Sequence, residues 1–293
     1  MLSILIPVYN FDVCALVKRL HQQALLLDVS FEFIVMEDAS APEFVAKNTV
    51  LQTLSNVQYI VLEKNMGRSK IRNHLAAKAQ YDYLLFMDCD SMPVDDQYLQ
   101  NYVTNLHPQQ LLYGGRCYQP TPPFEQALYF HWWYGINREQ SSAEQRQQQP
   151  HRSFMTNNFL IPKTIFQAIK FDENITQYGH EDTLFGIELE QRLIPIQHLN
   201  NPLEHIGLEE NKVFIRKSRQ AIQNLYDLHQ KQYLDKEVKL LRFFIKTKLF
   251  HIPISIIFSF IQSFLLRQLY SKTPSLLLFD VYKLGYLTHW SRK

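Results

Sequence analysis

Glycine is scarce in this chain, eight among 293 residues, and neither G-x-G-x-x-G nor G-x-x-x-x-G-K-[ST] occurs. A dinucleotide or P-loop site built on a glycine-rich loop loses its usual support. Cysteine is scarcer still. Cys14, Cys89 and Cys117 are too few and too scattered for a disulfide framework or a zinc site, so a reducing cytoplasm is the expected compartment. An excess of charge of one sign is also missing: 30 Lys and Arg against 28 Asp and Glu leave +2. No nucleic-acid partner is expected, and any cationic function has to be local. The opening MLSILIPVYN has no basic n-region and too short an apolar run for a signal peptide. It is expected to be a first strand.

What is present is alternation. Residues 2–9, 31–38, 57–63 and 81–88 read as strands. Residues 12–27, 42–54 and the stretch after Asn65-Met66-Gly67 read as helices, the last opened by a turn. Strands alternating with helices of this length predict βαβ units, hence a mixed, mainly parallel α/β sheet flanked by helices. From about residue 211 the rhythm stops and the chain reads as a helical extension, giving expected domains of 1–210 and 211–293. Residues 138–152, polar and glutamine-rich without periodicity, read as an irregular mobile loop. The aromatic run YFHWWYGIN at 129–137 suits a core, or contact with sugar or lipid.

In an open parallel sheet, ligands bind beyond the carboxyl ends of the strands. Here those ends carry Asn10, then Glu37 and Asp38, then Asp88 and Asp90, and all are expected on one edge. The run Leu84-Leu85-Phe86-Met87 leads straight into Asp88-Cys89-Asp90. Burying unpaired carboxylates is costly, so a cation should meet them: a lysine or arginine, or a metal carrying a phosphate.

Taken in order, SILIPVYN, MEDAS, NMGRSKIRN, FMDCDSMP and GHEDTLFG resemble the family 2 glycosyltransferases of the GT-A fold, of the bacterial cell-surface glycan type. The resemblance covers roughly residues 1–210. It implies transfer of a sugar from a nucleotide diphosphate, with Mn2+ or Mg2+ stabilising the leaving group. Asp88 and Asp90 are similar to the family's D-x-D, holding the metal and the donor, and His205 matches a histidine beside the diphosphate or metal, which makes it a third expected metal ligand. Pro7, Val8, Tyr9 and Asp38 match the base pocket, although Glu37 stands where the family has an aspartate. Arg68 and Arg72, four apart on one helical face, would touch base and phosphates. Asn157, with Asn158 beside it, would line the donor-sugar pocket. Asp182 matches the base that takes the acceptor proton, and Glu181 a residue positioning it.

The C-terminal segment 236–248 sets Lys239, Arg242 and Lys246 on one face, and 249–266 follows without a formal charge. Its length is at the lower limit for a span, and Pro253, Ser255, Ser259, Gln262 and Ser263 interrupt it. The expected roles are a helix in the interface of an anionic membrane, or a helix packed on the domain or in a homo-oligomer. The resulting expectation is a cytoplasmic enzyme, peripheral on the inner face of the cell membrane. It would be hexosyltransferase-like and inverting, and would move a UDP- or GDP-linked sugar to a glycan or lipid-linked acceptor. The alternatives are a sugar-1-phosphate nucleotidyltransferase, which lacks its glycine-rich loop here, and a non-catalytic nucleotide-sugar-binding partner.

Overall fold

The apolar runs of the sequence become strands in the computed structural model, which describes residues 1–292. The first half of the chain forms β1 (Leu2–Val8), α1 (Cys14–Ala24), β2 (Phe31–Glu37), α2 (Pro42–Asn48), β3 (Val57–Val61), α3 (Arg68–Lys78), β4 (Tyr83–Met87), β5 (Ser91–Pro93), α4 (Tyr98–Thr104), β6 (Leu111–Tyr113), β7 (Arg116–Cys117), α5 (Tyr129–Tyr134) and α6 (Ala143–Gln147). The second half forms β8 (Asn158–Pro162), α7 (Lys163–Ile169), α8 (Glu181–Gln191), β9 (Ile196–His198), β10 (Leu203–His205), α9 (Asn211–Gln230), α10 (Lys239–Lys246), α11 (His251–Leu269) and α12 (Leu276–Trp290).

Seven strands form one sheet in the order β3-β2-β1-β4-β8-β6-β9. It is parallel except for β8, which runs antiparallel to both β4 and β6. A small second sheet has the order β5-β10-β7. Side chains along β1 divide by the period of two. Leu2, Ile4, Ile6 and Val8 pack with Leu16, Val17 and Leu20 of α1, whereas Leu5 packs with Ile71 and Leu75 of α3. Both faces are covered, so the central strands need apolar residues at nearly every position.

The chain divides into two compact units. The first holds 1–118, 140–176 and 181–207, and includes both sheets; the second holds 119–139, 177–180 and 208–293. The second unit therefore takes in the aromatic α5 as well as the C-terminal helices. Its own core gathers Phe130, Ile215, Phe258, Leu265, Leu269, Phe279 and Tyr282.

The segment expected as an irregular loop is instead structured. Ser142 and Gln145 close a capping box at the start of α6. The Arg146 guanidinium is buried and donates to the carbonyls of Gly114 (3.2 Å) and Leu199 (2.7 Å) and to His198 Nδ1 (3.1 Å). Burial pushes His198 down to about 4, so it stays neutral and able to accept. The polar composition that suggested a loop supplies long-range hydrogen bonds, which local periodicity does not register.

Candidate active site

β4 ends at Met87 and the chain turns at once, so Asp88 and Asp90 lie in a turn and not on a strand. The Asp88 N–H donates to the Asn157 carbonyl at 3.1 Å, tying the turn to the residue before β8. The two carboxylates then part. Asp88 Oδ1 accepts from Arg72 Nη2 at 2.9 Å and its Oδ2 from Arg116 Nη2 at 3.3 Å. Asp90 turns to His205, whose Nδ1 lies 3.6 Å from Oδ1. The shared face that a strand's period of two would give residues 88 and 90 does not form, because a turn does not alternate.

The small sheet explains the second pairing. β10 runs antiparallel to β5 with His205 opposite Ser91, which sets the imidazole beside Asp90. The Ile206 N–H donates to the Asp90 carbonyl at 2.9 Å. A Cβ at Gly207 would stand 2.6 Å from the Asp90 Cβ, so only glycine leaves room for that side chain. The Tyr118 ring meets His205 edge-on at 5.5 Å.

Glu181 and Asp182 occupy the first turn of α8. Glu181 Oε1 lies 3.2 Å from Arg68 Nη1 and 4.0 Å from Arg72 Nη1. Arg72 therefore spans Asp88 and Glu181, and Arg68 adds a second cation to the latter. Burial disfavours the Glu181 carboxylate, but Arg68 and Arg72 more than offset this and hold its pKa below the usual range. Asp90 behaves alike: burial opposes ionisation, and His205, Arg116 and Arg68 hold it well below normal. Asp182 goes the other way. Burial and the adjacent Glu181 charge push it up to about 6, against the 2.7 Å hydrogen bond from the Thr183 N–H. Three carboxylates are held by cations, and the fourth is poised near neutrality.

Asp38 sits at the start of the same region and organises it. Its carboxylate accepts from the N–H groups of Met66 (2.6 Å) and Gly67 (3.0 Å), while Asn65 Nδ2 donates to its carbonyl at 2.9 Å. Gly67 takes a φ of +81°, the left-handed region that favours glycine. This turn launches α3, and with it Arg68 and Arg72. Glu37, placed by the sequence on the functional edge, is instead fully buried. It accepts from Asn48 Nδ2 at 2.7 Å, from Tyr59 OH at 3.0 Å and from Ser40 Oγ. Along β1, the Val8 carbonyl accepts from the Asp38 N–H at 2.7 Å. Pro7 is half-buried and Tyr9 exposed.

Asn157 is buried, with Oδ1 accepting from Tyr113 OH at 3.1 Å and Nδ2 lacking any hydrogen bond. Asn158 differs. Its Oδ1 accepts from Tyr98 OH (2.6 Å) and Tyr102 OH (2.7 Å), and its Nδ2 donates to the carbonyls of Gly115 (2.8 Å) and Asn201 (3.0 Å). Its amide is wholly committed inside the fold, so it does not line a pocket. Arg116 was not singled out by the sequence: a two-residue strand carries no periodic signal, and only the tertiary pairing reveals it.

Among the described residues, no three His, Cys, Asp or Glu side chains stand close enough to hold a metal by themselves. Asp90 and His205 offer one hard oxygen and one imidazole nitrogen, and Asp90 Oδ1 is buried without a hydrogen bond. An oxygen and an imidazole nitrogen side by side are donors that fit a divalent ion such as Mn2+ or Mg2+.

The fold has parallels among solved structures. Among solved structures, this chain is similar to S. aureus TarS 1–349 at 18% identity, over 99% of this chain and 90% of that one, with a TM-score of 0.55. The same protein in complex with UDP-GlcNAc matches at 17% identity, 99% and 91% coverage and TM-score 0.55. The mannosyltransferase PcManGT from Pyrobaculum calidifontis, in complex with GDP-Man and Mn2+, matches at 10% identity, 99% and 86% coverage and TM-score 0.56. At such identities the likeness is one of fold. No match is found among curated proteins. The family model for glycosyl transferase family 2 matches residues 3–169, more than half of the sequence. The chain belongs to glycosyl transferase family 2 and is a glycosyltransferase of the GT-A fold.

Proposed function

We propose that the chain moves a sugar from a nucleotide-diphosphate donor to an acceptor hydroxyl, with inversion and with a divalent cation. One observation carries this: of four clustered carboxylates, Asp88 and Glu181 pair with arginines and Asp90 faces His205, while Asp182 alone is raised to about 6. That division suits a site with a phosphate side and a proton-accepting side.

The donor's C1–O bond breaks toward the nucleoside diphosphate, which gains negative charge. Arg68, Arg72 and Arg116 supply positive charge held in place by their own carboxylate partners, so little reorganisation is needed. Mn2+ or Mg2+ held by Asp90 and His205 would neutralise the same charge. Asp182 takes the acceptor hydroxyl proton as that oxygen bonds to the anomeric carbon, and Glu181 positions Asp182 and the acceptor. Each Asp38 oxygen accepts one N–H and keeps a lone pair for the base, which Pro7, Val8 and Tyr9 would flank. The Asn157 Nδ2, buried and without a partner, is a donor suited to a sugar hydroxyl.

UDP-GlcNAc and GDP-Man, bound by the structural relatives, are the first donors to try. The acceptor in this reading is a cell-surface polysaccharide or glycolipid precursor on the cytoplasmic face of the membrane. The cationic and apolar character of residues 236–266 supports that placement. The test is release of UDP or GDP by the full chain with and without Mn2+. Metal-dependent release that is lost in Asp90→Asn and Asp182→Asn is expected. Release of sugar 1-phosphate, or nucleotide exchange with pyrophosphate, would instead make it a nucleotidyltransferase.

A further inference from the structure

Helix α11 is apolar on two sides, one buried and one exposed. Its inner side carries Ser255, Phe258, Leu265 and Leu269, which are buried. Ser255 Oγ lies 3.1 Å from His289 Nδ1, and Phe258 fills the space left by Gly285 of α12, where a Cβ would fall 2.3 Å from its ring. The outer side shows Ile252, Ile256, Phe260 and Phe264 at a spacing of four, with Phe260 83% exposed. Leu249 and Phe250, just before the helix, are exposed as well, Leu249 at 91%. Isolated apolar residues on a surface need no explanation, but a contiguous stripe of this kind does.

Cations bracket the stripe. Lys239, Arg242, Lys246 and Lys248 precede it, Arg267 and Lys272 follow it, and all are exposed. No acidic residue occurs between Glu237 and Asp280. Lys248 and Arg292 also line a cavity of about 430 Å³ together with Phe244, Ile245, His251 and Asp235. Apolar and cationic groups thus meet at the turn between α10 and α11.

By length and composition alone, Lys248–Leu269 could cross a membrane. Its packing argues otherwise. α12, against its inner side, carries Asp280, which pairs with Lys283 at 2.9 Å and Arg138 at 2.7 Å. α12 is in turn bonded to the polar α9 through Tyr282 with Arg219 and Tyr286 with Gln223. A spanning α11 would draw these charges into hydrocarbon, whereas a helix lying flat would immerse only its outer side. A second copy fits poorly too. In any two-fold contact along α11, cationic ends face cationic ends with no intervening carboxylate.

We propose that the outer face of α11 lies flat on an anionic lipid surface, with Ile252, Ile256, Phe260 and Phe264 in the acyl boundary and Lys239, Arg242, Lys246, Lys248, Arg267 and Lys272 at the phosphate level. This deepens the peripheral placement given above and does not depend on the catalytic reading, because vesicle binding and nucleotide binding are measured separately. The experiment is sedimentation of the full chain with vesicles of phosphatidylcholine alone or mixed with phosphatidylglycerol. Binding to the mixed vesicles should be at least tenfold tighter and should weaken at 1 M salt, where the screening length is about 3 Å. Phe260→Asp and the double variant Lys246→Glu, Lys248→Glu should each lose at least tenfold in vesicle affinity while keeping the wild-type melting temperature and nucleotide affinity. Equal, salt-resistant binding to both vesicle types overturns the proposal in favour of insertion across the bilayer. No vesicle binding, with a dimer in light scattering that Phe260→Asp dissociates, overturns it in favour of a second copy.

Discussion

His205 Nδ1 stands 3.6 Å from Asp90 Oδ1, across an antiparallel register that connects two segments far apart in sequence. The distance is too long for a good hydrogen bond, and Asp90 Oδ1 accepts none from any other group. Two donors converge with room between them. Asp90→Asn should leave the fold intact and abolish the gain in UDP or GDP affinity that Mn2+ confers, as read by calorimetry. Gly207→Ala should weaken the same gain without altering any donor group, because the added Cβ displaces the Asp90 side chain. An unchanged manganese effect in both variants would remove Asp90 from the metal site.

Asp182→Asn separates the two sides of the site. Donor affinity should be retained while sugar transfer falls by roughly two to four orders of magnitude, the usual worth of a positioned base. If donor affinity falls in parallel with transfer, Asp182 belongs to the donor side instead.

The pH dependence follows from the same residue. A base acts when deprotonated, and Asp182 is raised to about 6, so kcat/KM should climb as pH rises through about 6. Burial sets this first, then the Glu181 charge, opposed by Thr183 and Arg68. Glu181→Gln removes the neighbouring negative charge and leaves Arg68 less neutralised; both effects lower the Asp182 pKa and move the acid limb to lower pH. Stability shows the converse. The folded state holds a proton that the unfolded chain has released, so stability declines from about pH 4 to about pH 6 and then levels. Asp182→Asn should flatten that decline in urea titrations made across this range.

Arg72 is the structural keystone of the arginine array, buried between Asp88 and Glu181. Arg72→Met keeps its length and removes its charge. Each carboxylate retains a second partner, Arg116 for Asp88 and Arg68 for Glu181. The loss of stability should therefore be about 2 kcal/mol, below the ~3–5 kcal/mol seen when a buried charge keeps no partner. Urea denaturation measures it, and a variant as stable as the wild type would mean that the pair makes no net contribution.

Much of the first unit was legible in the order of residues. Strands covered on both faces must be apolar throughout, so β1, β2 and β4 announce themselves. Asn65-Met66-Gly67 marks the start of α3 because a left-handed φ favours glycine. The aspartates after β2 and β4 follow from the rule that parallel strands end at the ligand edge. The loop expected at 138–152 failed because its order comes from Arg146 and its distant carbonyl partners, which no local pattern records.

By itself, then, the sequence determined where strands and helices alternate and which acidic residues lie at strand ends, since both depend on neighbours within a few positions. Only the tertiary structure decided which cation meets which carboxylate. Side-chain direction in the turn at Asp88 and Asp90 is set by contacts from β7, β10 and α3, so one carboxylate went to arginines and the other to His205. It also decided that Glu37 belongs to the core and not to the site. In the second unit it turned Ser255 inward against His289 and Phe260 outward. Composition identifies a helix as apolar, but only its packing partner fixes which side is left for something else to cover.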